Sequence, residues 1–183
     1  MDSGIFRTSS IKENTKQLDR LRGLIEQIRP ELVFEYGAGR STIAMGEALR
    51  GIGVLISMEP SVWFYNLLKP HIEDLPVELV LCDMTRMKDG DKEYLRHSPH
   101  PAYQYQPDMI FIDGPDLGLY RGLPIDLLYI DLKPSTLILL DKRTAVAELM
   151  IDYGFEWIFE EESQLYQLKK VPGMRHDPPA WGN

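Results

Sequence analysis

Glu31-Leu32-Val33-Phe34-Glu35-Tyr36-Gly37-Ala38-Gly39-Arg40-Ser41-Thr42 is the stretch that decides how this sequence folds. Its first half is a short apolar run, the pattern of a strand buried on both faces. The run stops at two glycines, which permit a tight turn and a close approach of main chain. Ser41 or Thr42 then opens a helix over residues 42–50, closed by Gly51 and Gly53. Strand, glycine turn and helix form the opening unit of a doubly wound sheet.

The same rhythm continues outward. Residues 54–58 (V-L-I-S-M), 77–81 (V-E-L-V-L), 108–112 (D-M-I-F-I) and 136–140 (T-L-I-L-L) are further apolar runs. Helices fall between them: one from Pro60 carrying Val62, Trp63 and Leu67, one over 124–132, and one over 143–152. Alternation of this kind predicts parallel crossovers. Residues 155–159 and 164–169 break the rhythm, because four residues are too few for a crossover. They predict an antiparallel C-terminal hairpin. The expected fold is therefore α/β, a doubly wound, mostly parallel seven-stranded sheet. Before it, Ser10-x-x-Glu13 reads as a capping box, and Leu18, Leu21, Ile25 and Ile28 follow at helical spacing up to Pro30. This predicts a packing helix on the sheet edge. The chain thus divides into an N-terminal helical extension (1–30), an α/β domain (31–170) and a flexible Pro- and Gly-bearing tail (171–183). A short helix is expected over 89–97, and a loop with two tyrosines and two prolines over 98–106.

Bulk properties narrow the function. A chain of 183 residues suits one domain. The formal net charge of −8, with no dense basic run, disfavours nucleic acid as a partner. No stretch approaches the roughly 20 apolar residues of a membrane span. The N-terminus lacks a secretory pattern. Cys82 is the only cysteine, so no internal disulfide forms. These features predict a cytoplasmic protein acting on a small molecule.

Ligands of open parallel sheets bind beyond the carboxyl ends of the strands. Three acidic residues stand at three such ends. Glu35 lies two residues before Gly37, where it can accept from a ligand ammonium. Glu59 ends the second strand, where a carboxylate takes both hydroxyls of a ribose. Asp83 ends the third, where it can face an adenine amine. A dinucleotide site wants G-x-G-x-x-G, but Thr42 holds the last glycine position; a P-loop wants Gly-Lys-Ser/Thr, which is absent. Three carboxylates suit a cationic nucleoside and not a pyrophosphate.

The set E-Y-G-A-G-R-S-T, M-E-P, C-D-M and F-I-D-G-P resembles the class I S-adenosylmethionine-dependent methyltransferases over about residues 32–169. That resemblance implies a Rossmann-like fold whose seventh strand is antiparallel and inserted beside the fifth. It implies that Glu35, Gly37 and Gly39, with Ser41 beside them, hold the methionine moiety of S-adenosyl-L-methionine. Glu59 would bind the ribose, and Asp83 and the Met84 main chain the adenine. Trp63 is expected either in the core or as a wall of the adenine pocket. I-D-G-P followed by I-L-L-D is similar to the small-molecule O-methyltransferase branch. In its metal-dependent members an acid after strand four and an acidic or amide pair after strand five hold magnesium. Asp113 and Asp141 match that pattern, but Lys142 stands where the third ligand belongs. An ammonium does not ligate a cation, so the expected metal set is empty and magnesium is doubtful.

Asp113 is the candidate general base or acceptor anchor, with Asp141 and Lys142 beside it. Lys142 either stabilises an alkoxide, acts as a base, or pairs with Asp113 or Asp141. Tyr120, Arg121, Lys142 and Arg143 are candidates for the acceptor side. His97 and His100, on the loop after the third strand, read as surface residues, with a reach into the pocket as the alternative. The expected activity is methyl transfer to an oxygen or nitrogen of a small molecule. The alternatives are a catalytically inactive nucleoside-binding module and a nicotinamide oxidoreductase, the latter disfavoured by Thr42. A homodimer is compatible with the sequence, which leaves the oligomeric state open.

Overall fold

A computed structural model describes residues 11–89, 92–98, 105–114, 132–141, 151 and 155–170. The elements run α1 (Ile11–Ile28), β1 (Leu32–Tyr36), α2 (Arg40–Ala48), β2 (Val54–Glu59), α3 (Val62–Ile72), β3 (Val77–Leu81), β4 (Asp83–Asp89), β5 (Lys92–Ser98), β6 (Met109–Ile112), β7 (Leu137–Asp141), β8 (Glu156–Glu160) and β9 (Leu165–Lys170). Seven strands form one sheet in the order β3-β2-β1-β6-β7-β9-β8. β1, β2, β3, β6 and β7 are mutually parallel, while β9 runs antiparallel between β7 and β8. This is the expected doubly wound sheet with its terminal hairpin.

Side chains alternate across a strand, so one apolar string feeds two cores. On one face Val33, Leu55, Met109, Phe111 and Leu139 are buried with Leu18, Leu21, Leu24 and Ile25 of α1 and with Ala44, Met45 and Leu49. On the other, Phe34, Tyr36, Ile56, Met58, Ile110, Ile112, Ile138 and Leu140 are buried with Cys82, Leu132 and Phe155. Burial on both faces is why these strands lack polar alternation.

The leading helix differs from its expected place. α1 lies over the central strands, not at the sheet edge, because its Leu18, Leu21, Leu24 and Ile25 stripe is wide enough to cover them. It ends as Arg29 turns left-handed (φ 47°) before Pro30. Only a few residues separate it from β1, so α1 runs antiparallel to that strand. Its N-terminal half therefore reaches the carboxyl rim of the sheet. α3 begins after the cap Ser61, whose Oγ accepts from Phe64 N, so Pro60 lies just outside it. Trp63 is 61% exposed on that helix, which removes it from the core.

Residues 83–98 also depart from expectation. The helix expected over 89–97 is instead strand β5, paired antiparallel with β4 from Asp83↔Ser98 to Asp89↔Lys92. With Asp89 and Lys92 paired, only two residues of sequence, one of them glycine, join the strands, and a link that short suits a hairpin and not a helix. The stretches expected as helices over 124–132 and 143–152 fall almost wholly outside the described residues. So do Ser10 of the expected capping box, whose Glu13 lies within α1, and the tail from 171 onward.

One main-chain contact sets the rim. A Cβ on Gly37 would overlap Gly114 Cα and N, and one on Gly114 would lie 2.5 Å from Gly37 Cα. Gly37 also sits at φ 90°, where an L side chain is strained. Two glycines are thus required for the turns after β1 and β6 to touch. Gly114→Ala should cost roughly 1–3 kcal/mol by overpacking, read as a lowered urea midpoint with an unchanged slope.

Candidate functional site

Strand register puts the site residues in a row. Met58, Tyr36, Ile112 and Leu140 are successive in-register partners across β2, β1, β6 and β7. All four are at most 1% exposed. The residues that follow them, Glu59, Gly37, Asp113 and Asp141, form the next row at the carboxyl rim. With strands roughly 4.8 Å apart, that row spans about 14 Å.

Glu35 lies two residues below that rim row with no exposed surface. Its carboxylate accepts from Ser41 Oγ at 2.5 Å, Thr42 Oγ1 at 2.5 Å and Ser57 Oγ at 2.6 Å. Thr42 Oγ1 in turn accepts Gly39 N–H at 2.8 Å, tying the turn to the first turn of α2. Burial pushes the Glu35 carboxyl from 4.5 up to about 7. The three hydroxyls, led by Ser41, pull the other way, and the charge of Glu59 adds to the rise.

Glu59 is 6% exposed and faces the turn. Its Oε2 accepts Ala38 N–H at 3.0 Å and its Oε1 accepts Ser61 N–H at 2.7 Å. Burial raises its carboxyl above the ordinary value, opposed by those two N–H bonds and by nearby His97. Two consecutive turn N–H groups, on Ala38 and Gly39, are thus bound to protein oxygens. A phosphate cradle needs such groups aimed at the ligand. Here it would find them engaged, with two carboxyl groups beside them.

Asp113 is half-buried immediately after β6, and its N–H donates to Tyr36 O at 2.9 Å. Gly114 N–H donates to the same carbonyl at 2.6 Å. Asp141 ends β7, half-buried, and its Oδ1 accepts Gln17 Nε2 from α1 at 2.8 Å. Asp83 does not end β3. It opens β4 after Cys82, exposed, while Met84 is half-buried opposite His97. Cys82 N–H donates to Glu59 O at 3.1 Å, which anchors the root of the hairpin beside Glu59. Lys142, Tyr120, Arg121 and Arg143 lie outside the described residues. Among the described residues, no group of three or more His, Cys, Asp or Glu side chains is placed to hold a metal ion. No described helix is long and apolar enough to cross a membrane.

Glu35, Gly37, Gly39, Ser41 and Glu59 therefore form one connected cluster, and Asp113 joins it through the Gly37–Gly114 contact. Asp141 stands beside Asp113 on the next strand. Four further residues belong here. Ser57 is the Cα partner of Glu35 across β1 and β2. Two polar residues inside two apolar strings were the available signal, since buried polar groups must find partners. Thr42 does not open the helix, which runs from Arg40 to Ala48 and not over 42–50; it stands at the third helical position after the cap Gly39 and takes part through its hydroxyl. Gln17 carried no local signal. His97 is fully buried, its ring 5.1 Å from that of Tyr36. That corrects its expected surface position, because β5 turns it onto the sheet.

No sequence-family model matches this chain, and no curated protein sequence does. Solved structures do. A methyltransferase from Geobacter sulfurreducens is similar over 84% of this chain and 77% of its own, at 16% identity and a TM-score of 0.58. An O-methyltransferase from Bacillus cereus in complex with SAH is similar over 90% and 83%, at 18% identity and 0.54. The O-methyltransferase TomG from Streptomyces achromogenes, involved in tomaymycin synthesis and in complex with SAM, is similar over 94% and 84%, at 16% identity and 0.53. The chain has the Rossmann-like methyltransferase fold.

The raised Glu35 carboxyl has a measurable consequence. Between about pH 4.5 and 7 the folded protein keeps a proton that the unfolded chain has lost. Stability from this group is full below pH 4.5 and falls as pH rises to about 7. The loss is on the order of 3 kcal/mol at most. Urea unfolding at pH 5, 6, 7 and 8 should show this decline in the wild type relative to Glu35→Gln. Parallel curves for the two proteins would contradict it.

Proposed function

We propose that this protein is an S-adenosyl-L-methionine-dependent methyltransferase acting on an oxygen or nitrogen of a small-molecule acceptor. The observation that carries this is the glycine turn held between two acidic side chains, with its Ala38 and Gly39 N–H groups already bound. Such a site favours a neutral ribose and a positively charged tail over a pyrophosphate. The fold shared with methyltransferases, two of them holding SAH or SAM, supports the same conclusion. The net charge of −8 speaks against a polynucleotide acceptor. The single, buried cysteine suits a reducing cytoplasm.

In this proposal Glu59 takes the ribose hydroxyls and the turn at Gly37 and Gly39 lies against the methionine portion. The root of the hairpin, Asp83 and Met84, borders the adenine. The bound donor supplies an electrophilic methyl group on a sulfonium leaving group. The protein aligns the acceptor with that group and removes one proton. Asp113 is the assigned base or anchor, at the rim position next to Gly37. Asp141 stands beside it, and Lys142 supplies the cationic charge that a metal would bring elsewhere in the family. No step here requires magnesium.

Calorimetry with S-adenosylmethionine, S-adenosylhomocysteine and NAD tests the first half. Micromolar binding of the first two, with none for NAD, is expected. Glu59→Ala should weaken S-adenosylmethionine by about 1–3 kcal/mol, the cost of unmet buried hydroxyls. NAD binding without sulfonium binding would overturn the assignment. Methyl transfer to a panel of hydroxyl- and amine-bearing metabolites, with and without magnesium, tests the second half. Asp113→Ala should lower turnover on any accepted substrate by about 10²-fold or more. Tight donor binding with no transfer to any acceptor would favour an inactive nucleoside-binding module instead.

A further inference from the structure

Two hydroxyls with no part in the chemistry above converge on Glu35. Thr42 Oγ1 and Ser57 Oγ both donate to its Oε2, at 2.5 and 2.6 Å. Ser41 Oγ occupies Oε1 at 2.5 Å. None of these four side chains is more than 3% exposed. Thr42 Oγ1 also accepts Gly39 N–H. An unbroken chain of hydrogen bonds thus runs from Ser57, inside β2, through Glu35 and Thr42, to the main chain of the turn.

We propose that Ser57, Glu35 and Thr42 act as one positioning unit for the turn 37–39, and that Glu35 serves the nucleoside through this unit without touching it. The inference rests on the S-adenosylmethionine reading of the site and changes the role of Glu35 within it. Three donors already meet its two oxygens, and it has no open surface. A ligand ammonium reaching Glu35 would have to displace a hydroxyl and leave that group unmet in the interior. Burying a carboxyl group in a sheet is costly unless its partners are supplied. A pair of aliphatic residues at positions 35 and 57 would pack with no such demand. What the polar set adds is geometry. It locks β2, β1 and the first turn of α2 to one another, and so fixes where Gly39 presents its main chain. A turn held in place before binding loses less freedom when the ligand arrives.

The test is calorimetry with S-adenosylhomocysteine on the full chain, at a temperature where every variant is folded by circular dichroism. Thr42→Val and Ser57→Ala should each weaken binding by about tenfold or more, as for a buried partner left unmet. Thr42→Ser, which keeps the hydroxyl, should restore binding to within about threefold of wild type. Either substitution combined with Glu35→Gln should lose less than the sum of the two alone, since the three form one unit. A purely stabilising role would lower the melting temperature and leave the dissociation constants in place, which would overturn the proposal. So would a large loss in Glu35→Gln alone with Thr42→Val and Ser57→Ala at wild-type affinity, because that pattern means direct contact. If the wild type binds no S-adenosylhomocysteine, the nucleoside reading falls. Amide exchange then judges the positioning claim by itself. Faster exchange at Gly39 in Ser57→Ala supports it, and unchanged exchange overturns it.

Discussion

A carboxyl group sealed beneath a glycine turn must have its oxygens met by the protein itself. Glu35 meets that requirement with hydroxyls from β2 and from the first turn of α2. Because those hydroxyls come from different elements, satisfying the carboxyl also fixes how the elements meet. Glu59 repeats the device one strand away with main-chain donors from Ala38 and Ser61. The turn between them is thereby defined from below and from the side. Buried polar groups are weak sources of stability, but a fully satisfied set selects one arrangement over its neighbours. Here the arrangement selected is the mouth of the site.

The remainder of the rim follows from close approach and register. Gly37 against Gly114 brings the loop after β6 onto the glycine turn, and so puts Asp113 beside it. The in-register row from Met58 to Leu140 sets Glu59 and Asp141 at its two ends. The N-terminal helix then closes the far side. Its Gln17 bonds Asp141, and Arg20 bonds Glu160 at the turn of the terminal hairpin at 3.0 Å. Ion pairs as exposed as Arg20–Glu160 contribute little. What holds α1 down is its stripe of Leu18, Leu21, Leu24 and Ile25, and the polar contacts set its rotation.

The hairpin of β4 and β5 shows how local signals compete. Residues 89–97 carry helix-compatible composition, yet the pairing of Asp83 through Asp89 with a returning strand prevails. The consequence reaches the site, because the hairpin carries His97 onto the ring of Tyr36 and roots itself at Glu59 through Cys82 N–H. The pairing of β5 with β4 thus puts His97 in the interior. Its burial depends on a partner strand and a sheet face that are distant in sequence.

The amino-acid sequence by itself determined the parallel sheet, its terminal antiparallel pair, and the turn at Gly37 and Gly39. Those depend on short-range facts: apolar strings, residues with special backbone freedom, and a linker too short for a crossover. It also placed Glu35, Glu59 and Asp113 at strand ends, since position along a strand is a local property. The tertiary structure alone decided that Glu35 faces Ser57 and Thr42, that Gln17 reaches Asp141 across 124 positions of chain, and that Asp83 opens a new strand. Hydrogen-bond partners and burial belong to pairs of elements, and no single stretch of sequence carries the distance between them.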